Sequence, residues 1–313
     1  MRNILGRTIA ASLAAGLLGL PPAFAAPAPR EAVRPDGSKI HWSVDRQREA
    51  PRQGILVLAQ GSGCLSVDRN ENIERAKKLL PAFAVVTVEK YGVGPGDAPT
   101  DPYEGCSAAF YQHHTVSQRA VDYEQVLAAT KGEPWWNGQL VLFGGSEGGA
   151  AVAVLASKVA PSAVVVFSTA PGQSFRETFK LAVPPEVAAQ ADAQFAKVAA
   201  NPTSSERWGG NSYRWWADIL DRDLVDDLLA AKTPILVVQG ERDQSAPAVV
   251  ARKTQVRFKE AGRCNFTYWE LAGYDHQMRD AKGVSHLDEV LQRISTWLSE
   301  QLTAPRAEAC LTR

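Results

Sequence analysis

Ser146 lies in a short glycine cluster, GGSEG (residues 144–148), between two stretches of different character. The apolar run before it, residues 139–143, predicts a strand, and the alanine-rich stretch after it predicts a helix. A serine in a sharp strand-to-helix turn follows the G-x-S-x-G pattern of a nucleophile. A phosphate-binding turn is the alternative, but the lysine of a P-loop and the G-x-G-x-x-G spacing are both missing. The sequence therefore predicts nucleophilic attack by the Ser146 hydroxyl.

A serine hydroxyl is a weak nucleophile near neutral pH, so a base must accept its proton. His276 suits this role because it lies in a loop directly after the last predicted strand, residues 265–271. The other histidines lie on the first strand, upstream of the serine, or at the start of the last helix: His41, His113, His114 and His286. We therefore predict His276 as the general base.

An acid that orients the histidine is expected between the serine and the histidine in chain order. Asp243 follows the predicted strand 234–239 and is our choice for this role. Glu241 lies at the same strand end and is the alternative. Asp275 is less suitable, since the side chains of adjacent residues rarely face each other.

Strands and helices alternate along most of the chain, which predicts a parallel sheet with helices on both faces. The predicted strands are residues 39–44, 54–60, 83–90, 139–143, 162–168, 234–239 and 265–271. Ser146, Asp243 and His276 all follow the carboxyl ends of such strands. Because parallel strands end at one edge of the sheet, the three side chains are expected to meet there.

These stretches and their order resemble the α/β-hydrolase fold family over roughly residues 38–300. The resemblance implies a mostly parallel sheet flanked by helices, with a helical cap insertion. It also implies an oxyanion hole, since QGSGC (60–64) is similar to the family's oxyanion loop, with Gln60 where histidine is usual. By this resemblance, the backbone amides of Ser62 and Glu147 stabilise the oxyanion.

A long insertion, about residues 171–232, separates two predicted sheet strands. It is far longer than an ordinary connection and matches the position of the family's helical cap. Trp208, Trp215 and Trp216 are predicted to bind substrate, as parts of an aromatic lid over an apolar pocket. The alternative is that these rings only pack the cap onto the body of the domain.

The chain begins with Arg2 and Arg7, an apolar run, and an A-x-A pattern that ends at Ala25. This order predicts a secretory signal peptide over residues 1–25, and hence a periplasmic or secreted protein; a retained anchor is the alternative. Residues 26–37 are predicted as a linker. The hydrolase domain then covers 38–305, and 306–313 form a tail.

Without residues 1–25, 32 basic residues stand against 34 acidic ones, a formal net charge of −2. This balance argues against nucleic acid as a partner, and no span beyond the signal segment is predicted to cross a membrane. No Cys or His spacing predicts a zinc site, and the adjacent His113 and His114 diverge on a helix. We expect no metal and no cofactor, a small-molecule substrate, and an oligomeric state that the sequence leaves open.

The four cysteines, Cys64, Cys106, Cys264 and Cys310, predict two disulfides in an exported protein. Cys64 and Cys106 both lie in loops after the first two buried strands, at the edge of the predicted active site. Cys264 precedes the last strand, at the opposite edge, and the final helix returns Cys310 to that side. The predicted pairs are therefore Cys64–Cys106 and Cys264–Cys310.

The predicted function is a serine hydrolase that cleaves a carboxylic ester through an acyl-enzyme. A small-peptide or amide hydrolase, similar to prolyl oligopeptidases, is the alternative within the same chemistry. A thioesterase is less compatible with an exported protein. A non-catalytic binding protein on the same fold remains the alternative from another class. The sequence does not identify the substrate.

Overall fold

The computed structural model describes residues 29–46 and 50–303. The predicted signal peptide and the tail with Cys310 lie outside these residues. The strands are β1 (Pro29–Val33), β2 (Lys39–Arg46), β3 (Gln53–Ala59), β4 (Ala84–Val88), β5 (Trp136–Gly145), β6 (Ala163–Phe167), β7 (Arg207–Trp208), β8 (Asn211–Ser212), β9 (Ile235–Gly240) and β10 (Phe266–Leu271). The seven strands expected from the sequence are all present, and most of their bounds differ by one or two residues.

Within the described residues, one sheet of eight strands has the order β1-β2-β4-β3-β5-β6-β9-β10. The six strands from β4 to β10 run parallel, whereas β1 and β2 are antiparallel to their neighbours. Every residue of β3, β4, β6 and β9 is buried. This explains their nearly continuous apolar sequences, because helices cover both faces of the sheet.

The helices are α1 (Glu71–Ala76), α2 (Ala108–His113), α3 (Val116–Lys131), α4 (Glu147–Val159), α5 (Phe175–Ala182), α6 (Pro185–Ala200), α7 (Tyr213–Ile219), α8 (Leu224–Ala230), α9 (Ala248–Glu260) and α10 (Leu287–Thr303). Two large apolar clusters lie on opposite faces of the sheet. One contains residues of α3 and α4 and of the helices between β6 and β9. The other contains residues of α1 and α10.

The insertion between β6 and β9 forms the helical cap that the resemblance implied. It consists of α5 to α8 and the short β7–β8 hairpin. Its aromatic side chains belong to the same apolar cluster as α3 and α4. The cap is therefore packed on that face of the domain through a continuous hydrophobic core.

Part of the segment predicted as a linker, residues 26–37, is a strand instead. Strand β1 pairs with β2 along its whole length and forms the edge of the sheet. Arg34, just after β1, is buried and makes a two-pronged ion pair with Asp122 of α3, at 2.8 Å for both contacts. Pro29 is tolerated because it is the first residue of an edge strand. This short strand was not predicted because its sequence, PREAV, contains proline and charged residues, which are uncommon in strands.

None of the helices in the described part of the chain is long and apolar enough to span a membrane.

Candidate active site

Ser146 occupies the turn between β5 and α4 in a conformation that side chains rarely adopt, with φ 54° and ψ −123°. The turn is tight because strand and helix pass very close to each other. A Cβ atom on Gly144 would lie 2.1 Å from the carbonyl oxygen of Gly148, and one on Gly148 would lie 2.0 Å from that of Ala59. Glycine is therefore required on both sides of the serine.

His276 and Asp243 form a hydrogen-bonded pair, with 2.8 Å between His276 Nδ1 and Asp243 Oδ2. The Asp243 side chain is completely buried. Its carboxylate also accepts hydrogen bonds from Gln239 Nε2 and from the amides of Ser245 and Ala246. These donors fix the carboxylate, and the carboxylate in turn fixes the orientation of the imidazole.

The other two acidic candidates have structural contacts in the same loops. Glu241 is exposed and accepts a hydrogen bond from the amide of Gly273 at 2.8 Å. Asp275 accepts from the amides of Gln277 and Arg279 and thereby closes the turn that carries His276. Neither carboxylate has a hydrogen bond to His276 among the contacts of the described residues.

Ser146 and His276 line one cavity of about 260 Å³ at the carboxyl edge of the sheet. Its polar lining includes Ser62, Asn70 and Gln277. Its apolar wall comes from the strand ends and from two helices: Ile73 and Ala76 of α1, Phe143 of β5, Phe167 of β6, and Leu287 and Leu291 of α10. The cavity can therefore place an apolar group beside the serine hydroxyl.

Solved structures of several hydrolases share this architecture. An esterase from Pyrococcus furiosus, Pf2001, is 13% identical, with a TM-score of 0.59 over 88% of this chain and 91% of that one. A puromycin-hydrolyzing peptidase from Mycobacterium tuberculosis is 16% identical, with a TM-score of 0.61 over 89% of this chain and 40% of that one. The α/β hydrolase GrgF from a Penicillium species is 14% identical, with a TM-score of 0.59 over 90% and 100%.

The chain has the α/β-hydrolase fold. No protein-family model matches its sequence, and no curated protein does so either. At these identities, the comparisons establish the fold alone. Which chemistry this α/β-hydrolase fold carries depends on the site itself.

The loop predicted to carry an oxyanion donor, residues 60–64, lies against Ser146. A Cβ atom on Gly61 would lie 3.4 Å from that of Ser146, and Ser62 lines the cavity. Glu147 is the first residue of α4, where backbone amides have no acceptor within the helix. Both predicted donors, the amides of Ser62 and Glu147, are thus next to the serine.

The side chain of Glu147 lies in a buried cluster of charged groups that sequence reasoning missed. Its Oε1 accepts from Arg119 at 2.9 Å and lies 3.1 Å from His114 Nε2 and 3.7 Å from Lys90 Nζ. Its Oε2 accepts from Trp215 Nε1 at 3.1 Å. Lys90 lies two residues after the buried strand β4, which could have indicated a buried lysine. The sequence does not show which groups contact it.

The ionisation of this cluster follows from burial and charge together. Burial raises the pKa of Glu147, but Lys90, His114 and Arg119 outweigh it and hold that pKa well below its usual range. Burial lowers the pKa of His114 to about 4, so the ring is neutral at neutral pH and donates through Nε2 to Glu147. Burial also lowers the pKa of the Lys90 ammonium to about 7, against the opposing effect of Glu147.

The three cap tryptophans are not among the residues that line the cavity with Ser146. Trp215 and Trp216 are buried, and their rings pack on each other and on Phe175. The Trp208 ring packs against Trp216 at a tilt of 43°, and the Trp208 backbone carbonyl accepts a hydrogen bond from Trp216 Nε1. These positions favour the packing alternative over the substrate-binding role that we expected.

The predicted disulfide between Cys64 and Cys106 is present. It connects the oxyanion loop to the segment that carries Tyr103, which lines the cavity. Cys264 is also disulfide-bonded. Its expected partner, Cys310, lies outside the described residues, so that pairing stays a prediction.

Proposed function

We propose that this protein is a serine hydrolase that cleaves carboxylic esters of small or medium apolar acids. The observation that carries the proposal is the 2.8 Å hydrogen bond between His276 Nδ1 and Asp243 Oδ2, on a histidine that shares its cavity with the strained Ser146. A binding protein has no need of this combination, since a strained backbone and an oriented imidazole serve catalysis.

The proposed reaction has two halves. The Ser146 Oγ attacks the ester carbonyl carbon while His276 Nε2 accepts the hydroxyl proton, and the Ser62 and Glu147 amides stabilise the oxyanion. The tetrahedral intermediate collapses, and the alcohol leaves with the proton from His276. Water then attacks the acyl-enzyme with His276 as base, releasing the acid and restoring the serine.

The apolar wall of the cavity supports an acyl group as the part of the substrate that lies there. Ile73 and Ala76 of α1 and Leu287 and Leu291 of α10 line the cavity that also contains Ser146, and they belong to one apolar cluster. We refer to these four residues as the acyl slot. A straight chain of a few carbons suits a cavity of about 260 Å³ better than a large polar acyl group does.

An exported location is part of the same proposal. The Cys64–Cys106 disulfide is typical of proteins that fold in an oxidising compartment, such as the bacterial periplasm or the extracellular space. It agrees with the signal peptide predicted for residues 1–25.

A substrate panel tests the proposed function directly. We expect turnover of p-nitrophenyl acetate and butyrate with kcat/KM at least about 100-fold above that of the corresponding p-nitroanilides, because p-nitrophenolate leaves more readily than the anilide nitrogen. The puromycin-hydrolyzing peptidase makes amide cleavage the competing function for the same fold. Efficient cleavage of dipeptide amides without turnover of any ester would decide for that alternative.

Filling the acyl slot is expected to shift selectivity toward short acids. Ala76 is almost fully buried and lines the slot, so Ala76→Leu places three further carbon atoms where the acyl chain lies. We expect kcat/KM for the hexanoate ester to fall about tenfold or more relative to the acetate, since each displaced methylene is worth about 1–3 kcal/mol. Steady-state kinetics on the acetate-to-octanoate series measure this ratio.

Trp216→Ala in the cap is the matched control. Because Trp216 is buried among other rings, its loss is expected to cost about 3–5 kcal/mol of stability and to affect all chain lengths alike. A selectivity change in Trp216→Ala with none in Ala76→Leu would place the acyl chain under the cap instead.

A further inference from the structure

Two buried basic side chains hold the backbone carbonyl groups of residues 60–64, the predicted oxyanion loop. Lys90 Nζ donates to the backbone oxygens of Gly61 and Gly63, and Arg119 donates to that of Gln60 at 2.8 Å. The Lys90 side chain is fully buried and that of Arg119 is 2% exposed, so water is not available to replace these donors. The loop conformation therefore depends on the two side chains.

Glu147 connects this loop to the nucleophile turn. Its carboxylate is the shared counter-charge of both cations, at 2.9 Å from Arg119 and 3.7 Å from Lys90. Its backbone amide directly follows Ser146 in the chain. Both candidate oxyanion donors, the Ser62 and Glu147 amides, are thus coupled through one buried cluster.

The geometry of a peptide unit shows how Lys90 acts on the reacting atoms. The C=O of Gly61 and the N–H of Ser62 belong to the same planar unit, and no cis peptide bond occurs among the described residues. In a trans unit the two groups point in opposite directions. Lys90 holds the carbonyl end from a position outside the cavity, whereas Ser62 lines the cavity.

We propose that Lys90 is a positioning residue for ester hydrolysis, which anchors the Gly61 carbonyl so that the Ser62 amide stays directed at the oxyanion of the tetrahedral intermediate. The inference rests on the proposed function. The ammonium also polarises the peptide unit that it binds, which strengthens the N–H at its other end as a donor. Arg119 supports the neighbouring unit, whose N–H belongs to Gly61.

Stability alone does not account for a lysine at this place. Burial of an ammonium carries a desolvation cost that an ion pair only partly offsets, and an apolar side chain of similar length avoids it. Lys90→Met removes this cost but leaves the Gly61 and Gly63 carbonyls without their buried donor, so the variant is expected to fold with lower stability. Turnover per active serine, rather than stability, therefore separates the positioning role from a structural one.

The test compares Lys90→Met with the unmodified protein on p-nitrophenyl butyrate. We expect kcat to fall about 10- to 100-fold with KM changed less than about threefold, below the loss of about 100- to 1,000-fold for removing an oxyanion donor itself. A trifluoromethyl ketone, which forms a tetrahedral adduct with the serine, should lose affinity by the same factor as kcat/KM. Lys90→Gln keeps a donor without the charge and should recover part of the rate.

Lys131→Met is the matched control, because Lys131 Nζ also donates to a backbone carbonyl, that of Val159, but away from the loop. Its kcat should equal that of the unmodified protein. Rates are expressed per serine titrated with a fluorophosphonate, so that misfolded molecules do not count. Should Lys90→Met fail to fold, Lys90→Gln decides, with an expected loss of several-fold in both kcat and ketone affinity.

Two results overturn the inference. One is a kcat within threefold of the unmodified protein in folded Lys90→Met or Lys90→Gln. The other is a lower kcat with unchanged ketone affinity, which would mean that the oxyanion donors are still in place. If the unmodified protein neither hydrolyses esters nor labels at Ser146, the proposed function itself fails and this role of Lys90 fails with it.

Discussion

Replacing Ser146 by alanine is expected to lower kcat for ester hydrolysis by about 10⁶-fold, the loss seen when a serine hydrolase loses its nucleophile. In the proposed mechanism the Ser146 hydroxyl oxygen forms the acyl-enzyme, and alanine has no atom that can replace it. The variant should fold normally, because the turn is held by a backbone hydrogen bond from Ser146 N to Phe167 O, which alanine keeps. Kinetics on p-nitrophenyl butyrate and labelling with a fluorophosphonate measure the loss.

Ser168 offers a stringent control for this assignment. It lines the same cavity, is buried, and also has a positive φ, 47°. Ser168→Ala should keep turnover within a few-fold and label fully. Labelling that persists in Ser146→Ala and disappears in Ser168→Ala would reverse the roles of the two serines.

If the proposed function holds, Asp243→Asn is expected to lower kcat by about 10⁴-fold, by analogy with Ser-His-Asp enzymes, and to lower the melting temperature by a few degrees only. An amide at this position can donate to His276 Nδ1, which places the imidazole proton on Nε2 and removes its ability to accept the proton of Ser146. The amides of Ser245 and Ala246 can still donate to the remaining oxygen, whereas Gln239 Nε2, which donates to Oδ2, loses its acceptor. The fold is therefore expected to form with somewhat lower stability while the base is disabled.

Glu241→Gln is the matched substitution on the neighbouring carboxylate. Glu241 is exposed and accepts only from the Gly273 amide among its hydrogen bonds within the described residues, an interaction that glutamine can keep. We expect kcat within about threefold of the unmodified protein. A severe loss in Glu241→Gln with none in Asp243→Asn would show that the wrong acid had been chosen.

The meeting of Ser146, Asp243 and His276 could be predicted because it depends on strand direction. Parallel strands bring their carboxyl ends together, so Ser146 after β5, Asp243 after β9 and the loop of His276 after β10 had to share one edge. The alternation of apolar strands with helices also indicated the fold class. Such inferences need only the order of elements along the chain.

The buried cluster could not be predicted in the same way. Lys90, His114, Arg119 and Glu147 come from four separate segments, and their meeting depends on how α3 and the start of α4 pack against the segment after β4. In the sequence, each of these polar residues is equally compatible with a solvated position. Only packing shows that Glu147 is a shared counter-ion.

The cap tryptophans illustrate a second limit. Their number and spacing indicated a large apolar surface, but composition does not show whether that surface faces a ligand or other side chains. Trp216 contacts Phe175, Phe179, Phe195, Trp208 and Trp215. The rings therefore bury one another within the cap. Residues of α1 and α10 contribute to the apolar wall of the cavity instead.

The separation of the two apolar clusters by the sheet determines which substitutions in this protein can be combined. Residues of the acyl slot belong to one cluster and the aromatic residues of the cap to the other. Substitutions in groups that share no partners have free-energy effects that add. A library that varies the slot can therefore be combined freely with one that strengthens the cap, and stability gained in the cap can offset losses from new specificities in the slot.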